Sequence, residues 1–262
     1  MFDESKIDNK VIDRAMQEFP KIKELVPYST PVVSFGNPQT AEMVTVGINP
    51  SSLEFLKGKK VKKLLKTESK RLIDTEVLNL NSPTSLSRDE AIAVITGCYQ
   101  YFDKNPYEWF NHLEKYANNY FGYSYFRKEG EKQSSAAHLD LVQWATDPVW
   151  GGITNLNTRL NLLKSDVDFL RYQINSKQFK IVFLNGDQVT KHVTDSKILQ
   201  IHDEIKIAFK TKNGSNTSIK AYKGVTPVGS KVFGWSRPFP GHRINSVEFS
   251  RVMKEIYSYF SS

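Results

Sequence analysis

Three short stretches carry side chains whose type and spacing suit chemistry. The first is Gly47-Ile48-Asn49-Pro50-Ser51-Ser52. An amide such as Asn49 is no strong base, but it can hold a water by hydrogen bonds. Asn49-Pro50 equally suits the cap of a following helix. The second is His138-Leu139-Asp140-Leu141-Val142. Ionised, Asp140 only accepts hydrogen bonds; protonated, it also donates one. It could also cap a neighbouring loop. The third is Arg237-Pro238-Phe239-Pro240-Gly241, followed by His242 and Arg243. A guanidinium is always charged, so Arg237 or Arg243 suits a departing anion or a phosphate.

These stretches must be placed by secondary structure. Residues 8 to 26 have helical apolar spacing, ended or bent by Pro20. Residues 31 to 38 read as extended, with a turn at Gly36-Asn37-Pro38. Met43 to Val46 reads as a buried strand running into the first stretch, and Glu54, Phe55 and Leu56 as the start of a helix. Ser87 with Glu90 makes a capping box for a helix through Ala91, Ile95 and Cys98 to Tyr101. Asn105-Pro106 starts another helix, with Trp109, Phe110, Leu113 and Tyr116 on its apolar side. Ala137 to Val142 and Lys180 to Leu184 are strands, the latter ending at Asn185-Gly186. Residues 156 to 174 form a helix, and 204 to 210 with 217 to 222 form a hairpin. A strand at 228 to 233, a Pro/Gly loop and a helix at 245 to 260 close the chain. Strands alternating with helices imply a mainly parallel sheet covered on both faces, in one domain over 1–262. In such sheets the binding site lies beyond the carboxyl ends of the strands.

The 262 residues hold 36 Lys and Arg against 28 Asp and Glu, a net charge of +8. That excess is local. Residues 57 to 71 contain eight basic residues and the single acid Glu68, so they hold seven of the eight net charges. Read as a helix, this segment turns Val61, Leu64 and Leu65 inward. It suits phosphate contacts, with a plain solvated helix as the alternative. Hydrophobic residues make 39% of the chain, enough for a sizeable core, which excludes a mostly disordered chain. No apolar run is long enough for a membrane span, and no secretory signal opens the sequence. One cysteine, Cys98, excludes an internal disulfide framework and a zinc finger. His112, His192 and His202 are isolated, and no Gly-rich phosphate signature occurs. The expectation is a soluble, cytoplasmic protein (nucleoid-associated if bacterial), with no metal and no cofactor.

Together, the ordered motifs resemble the uracil-DNA glycosylase superfamily, in its mismatch-specific and single-strand-selective branches. Val46-Gly47-Ile48-Asn49-Pro50-Ser51 resembles that family's first motif. His138-Leu139-Asp140-Leu141-Val142 is similar to its base-reading strand, and Ile181 to Gly186 to its third core strand. Arg237 to Gly241 sits where its second motif falls. The resemblance spans roughly residues 31 to 260. It implies a three-layer αβα sandwich with a central, mainly parallel four-stranded sheet, plus a small hairpin. It also implies hydrolysis of the base–deoxyribose bond after the nucleotide is flipped out.

On that reading Asn49, Arg237 and His242 are catalytic, with Asn49 positioning water. Asp140, Phe55 and Ile48 bind the base, Phe55 by stacking. Tyr125 and Phe126 are rival stacking rings. Ser51, Lys59, Lys60, Lys62, Lys63, Arg71 and Arg243 bind DNA, double- or single-stranded, and the chain acts as a monomer. Two positions depart from the family. Asp140 stands where uracil-specific members carry Asn, and it matches the exocyclic amino group of cytosine. Arg237 replaces the usual His or Asn, and Phe239 replaces Ser. The departures point to a modified cytosine, hydroxymethylated or glucosylated as in some phage DNA, and to anti-phage defence. The alternatives are a uracil or mismatch repair glycosylase, an inactive DNA-binding module on the same fold, and a hydrolase of free nucleosides.

Overall fold

The parallel strands β1 (Met43–Gly47), β4 (Ala136–Asp140) and β5 (Ile181–Asn185) are buried at every position. Strands covered on both faces show such burial without alternation; β1 and β5 achieve it with mainly apolar runs, whereas β4 also buries His138 and Asp140. The computed structural model describes residues 4–57, 63–66, 69–81, 83–104, 106–126, 134–237, 244 and 246–262. Lys59, Lys60, Lys62, Phe239, His242 and Arg243 lie outside the described residues.

The remaining elements are α1 (Asn9–Ala15), β2 (Leu56–Lys57), β3 (Lys63–Leu64), α2 (Arg88–Tyr99), α3 (Phe110–Phe121), α4 (Leu156–Asn175), α5 (Asp187–Asp195), β6 (Gln200–Lys210), β7 (Asn216–Val225), β8 (Lys231–Trp235) and α6 (Ser246–Ser261). The main sheet runs β4-β1-β5-β8-β7-β6, with its first four strands parallel and β6 and β7 antiparallel. The protein is thus α/β, with a mostly parallel six-stranded sheet and a small two-stranded one. Six strands replace the expected four because β7 bonds along β8, from Ala221↔Trp235 to Val225↔Lys231. The hairpin is an extension of the sheet.

Two further expectations change. Helix α1 stops at Ala15, because Phe19 N–H donates to the Thr84 carbonyl at 2.7 Å, outside any helix. The described part of the basic segment is no α-helix. A single 3-10 turn, Ser52–Glu54, leads into the antiparallel pair β2–β3. This alternation buries Leu56 and leaves Lys57 and Lys63 exposed, outweighing the helical preference of Lys and Leu. Helix α2 carries its capping box as expected: Ser87 Oγ accepts from Glu90 N, and Glu90 Oε2 accepts from Ser87 N at 2.7 Å. Helix α5 has no counterpart in the sequence reading. Its buried face is only Val189, Thr190 and Val193.

Strand side chains alternate between two apolar clusters. Val44, Val46, Leu139, Val182 and Leu184 meet Leu170 and Ile174 of α4 and Val189 and Val193 of α5. Met43, Ala136, Ile181, Phe183 and Phe233 point the other way, among residues of α1, α2, α3 and α6. Thr45, His138 and Asp140 follow the same period of two as this second set, and so share its face.

A buried ion pair fixes the loop after β4. Arg14 Nη2 lies 2.8 Å from Asp166 Oδ1, and both side chains are almost wholly buried. Arg14 Nε donates to Gln143 Oε1, Gln143 N donates to Asp166 Oδ2, and Gln143 Nε2 donates to the Asp140 carbonyl. Helices α1 and α4 thereby hold the backbone of Asp140. Removing one partner strands the other charge in the interior. Arg14→Ala is expected to lose about 3–5 kcal/mol of unfolding free energy in urea titration.

Candidate active site

At the carboxyl end of the parallel strands lies a cavity of about 910 Å³. The chain leaves β1 towards β4 and leaves β5 towards β8, so connections diverge between β1 and β5. Such a divergence opens a crevice. Gly47 at the end of β1 and Asn49 just after it, Asp140 from β4, Asn185 from β5 and Ser236 after β8 line it, so every parallel strand contributes.

Pairing of β1 with β4 sets the floor. Thr45 stands beside His138, and Gly47 beside Asp140. Thr45 Oγ1 is 2.6 Å from Tyr125 Oη and 2.7 Å from His138 Nδ1. His138 Nε2 is 3.3 Å from Asp140 Oδ1. One assignment satisfies every atom: Tyr125 donates to Thr45, Thr45 to His138 Nδ1, and His138 Nε2–H to Asp140. Phe35, Trp109 and Phe110 surround the imidazole, with ring centroids 5.5–5.8 Å away. Gly47 is obligatory here, because a Cβ would lie 2.5 Å from Asp140 Oδ1 and 2.8 Å from His138 Nε2.

Asn49 sits on the opposite lip. Its Nδ2 donates to the carbonyls of Pro50 (3.0 Å) and Trp144 (3.3 Å) and to Thr146 Oγ1 (3.0 Å). Two carbonyl partners fix which end of the amide is nitrogen. No described group donates to Oδ1, which remains an acceptor for a water. Ile48 and Ser51 also line the cavity, and Ser51 Oγ caps the 3-10 turn by accepting from Leu53 N.

That turn presents Glu54, which the sequence reading passed over. Glu54 is 2% exposed and forms part of the cavity wall. Tyr101 Oη donates to its Oε2 at 2.7 Å. Burial pushes its carboxyl up to about 7, against the opposing effects of the Tyr101 bond and the Arg71 charge, with the Asp140 charge adding to the rise. No Lys or Arg lines the cavity among the described residues, whereas Glu54, Asp140, Asp147 and Asp187 do. No three His, Cys, Asp or Glu side chains gather as a metal set among them either. Nor is any described helix long and apolar enough to cross a membrane.

Of the predicted site residues, the fold brings Asn49, Asp140, Ile48 and Ser51 to one cavity. Phe55 is placed elsewhere: it is 2% exposed, inside the apolar core, one position past the wall-forming Glu54. Tyr125 is core as well, and Phe126 packs against that core. The rings on the wall are Phe35, Tyr107, Trp109, Phe110 and Trp150. Arg237 also turns away. Its Nη2 donates to Thr217 Oγ1 at 2.6 Å and its guanidinium lies over Phe209, so β7 and the sheet extension hold it. Arg71 is half-buried; its Nη1 donates to the Leu53 carbonyl and its guanidinium lies over Tyr107, so it braces the Glu54 turn. Lys63 is exposed on β3. His138 had a legible signal, since two residues before Asp140 on a strand means the same face. Glu54 had none, because its burial depends on Tyr101 and Arg71 from distant segments.

No family model matches the chain, and no curated protein matches it.

The raised Glu54 carboxyl links stability to pH. Unfolding exposes a carboxyl that ionises near 4.5, whereas the folded one ionises near 7. Between these values the folded state holds the extra proton, so stability falls as pH rises. The full loss above pH 7 is about 3 kcal/mol at 1.36 kcal/mol per unit. Thermal unfolding of Glu54→Gln should lack this fall, so the variant gains on the native protein from pH 5 to 8. Parallel curves would contradict the assignment.

Proposed function

We propose that this chain is a monofunctional DNA glycosylase of the uracil-DNA glycosylase superfamily, with that family's three-layer αβα arrangement. In this reading it hydrolyses the N-glycosidic bond of a flipped-out, modified cytosine and leaves an abasic site. Hydroxymethylated or glucosylated cytosine of phage-type DNA is the favoured substrate, and defence against phage the favoured role. The observation that carries the reading is convergence. Asn49 and Asp140 come from separate motifs 91 positions apart in the chain and line the same cavity.

The chemistry follows from the two side chains. Hydrolysis needs a water at the anomeric carbon and a way to accept the departing electron pair. Asn49 Oδ1 accepts from that water and orients it, since its Nδ2 is committed to the loop. Asp140, with one oxygen facing His138 Nε2–H, has the other to accept from an exocyclic amino group. Uracil offers a carbonyl oxygen at that position, which two acceptors cannot share. Trp109, half-buried on the wall, is a stacking surface for the base in place of Phe55. Small-ligand pockets run about 300–1,000 Å³. At about 910 Å³ the cavity accommodates a base with a bulky substituent. Lys57 and Lys63, exposed after the Asn49 loop, suit the phosphates outside, whereas Lys70 is paired with Asp74 and Glu76.

The cation-poor wall also suits an uncharged free nucleoside. Salt-sensitive DNA binding separates the two, because phosphate contacts release counterions. The direct test uses oligonucleotides, single- and double-stranded, containing one cytosine, uracil, hydroxymethylcytosine or glucosylated hydroxymethylcytosine. Abasic sites, read by alkaline strand cleavage, are expected with the modified cytosines. Asn49→Ala should keep DNA binding and lose about 10²–10³ in turnover. Cleavage at uracil alone would sink the cytosine reading, and cleavage nowhere would sink the glycosylase.

A further inference from the structure

Glu54 belongs to none of the motifs that suggest the reaction, yet it is a carboxyl on the same wall as Asp140. Tyr101 Oη receives the Tyr107 N–H at 2.8 Å and donates its own proton to Glu54 Oε2 at 2.7 Å. In this arrangement Oε2 is an acceptor. The proton of a neutral Glu54 then rests on Oε1, to which no described group donates. We propose that Glu54 is the proton donor to the departing base, delivering the Oε1 proton to a ring nitrogen while Asp140 accepts from the neighbouring amino group. The inference rests on the glycosylase reading and narrows its substrate to bases that pair an acceptor ring nitrogen with an exocyclic amine.

The step balances without a co-reactant. The C1′–N1 bond breaks and its electron pair passes to the base, while the Glu54 proton moves to N3. The base leaves as a neutral, N3-protonated tautomer. The water held at Asn49 forms the new C1′–O bond and gives its proton to the Glu54 carboxylate, which restores the acid. Water and glycoside become free base and sugar hydroxyl. Uracil carries a proton on N3 and has no lone pair there to accept another, so this route excludes it.

The surroundings suit the task. Arg71 from the segment after β3, Tyr101 after α2, Tyr107 before α3 and Asp140 at the end of β4 are the charged or titratable groups that act on Glu54 or it on them. Asp140 in turn faces His138. Burial outweighs Arg71 and Tyr101, so the carboxyl stays protonated to about pH 7. Glu54, kept neutral by burial, is placed to donate, and Asp140, facing His138 Nε2, to read the amino group.

The experiment is a single-turnover pH–rate profile on hydroxymethylcytosine DNA. The native protein should hold a plateau below pH 7 and fall about tenfold per unit above it. Glu54→Gln should be slower by about 10²–10⁴ with no fall, after its thermal unfolding shows that it folds. Tyr101→Phe removes a bond that favours the ionised form, so its fall should move to higher pH. An undiminished Glu54→Gln rate, or a Tyr101→Phe profile falling where the native one does, overturns the proton donor and leaves the glycosylase standing. No abasic sites from the native protein overturns both.

Discussion

The parallel register of β1 against β4 is the constraint on which the site depends. With Gly47 beside Asp140 and Thr45 beside His138, a strand period of two places all four on one face. A slip of one residue in either strand would carry its two members to the opposite face, among the aliphatic side chains packed under α4 and α5, and break the pairing of Thr45 with His138 and of Gly47 with Asp140. Gly47 makes the pairing workable, since any side chain there would occupy the space of the Asp140 carboxylate. The hydrogen-bonded run from Tyr125 to Asp140 is then a consequence of register, and the Arg14–Asp166 pair secures the loop that follows.

Charge is divided across the molecule in a way that net charge alone conceals. The excess of cations is gathered in residues 57 to 71, just after the Asn49 loop. The described cavity wall carries carboxyls and no cation. For a polyanion the two regions act oppositely, as phosphates are attracted outside and repelled within. In the proposed reading, that contrast keeps the DNA backbone at the mouth while an uncharged base enters. Both carboxyls are buried, but Asp140 faces His138 Nε2 whereas Glu54 is held by the Tyr101 hydroxyl, and burial pushes the Glu54 carboxyl up to about 7.

Much of the fold was legible because parallel strands and helix caps have local signals. The strands at 43, 137 and 180, the capping box at Ser87 and the terminal helix all follow from apolar runs or nearby side chains. The sheet extension was not, because a hairpin reads the same whether free or bonded to β8. The basic segment misled for a related reason: Lys and Leu favour helix, and the pairing of buried Leu56 with Leu64 selects strands instead. In the site, Asn49 and Asp140 were legible as motif ends. Phe55 and Arg237 were misplaced because orientation depends on neighbours, the core in one case and Thr217 in the other. Glu54 required tertiary structure, since nothing within its own turn reveals that it is buried.

The central claim is that Asp140 reads the base within the cavity that Asn49 supplies with water. Asp140→Asn tests it most directly, because an amide both donates and accepts where a carboxylate only accepts. The quantity to measure is the ratio of affinities for paired oligonucleotides that differ only in hydroxymethylcytosine or uracil. The account predicts a shift of that ratio towards uracil by about tenfold or more, the value of one well-placed hydrogen bond. An unchanged ratio, with both affinities lowered together, would contradict it.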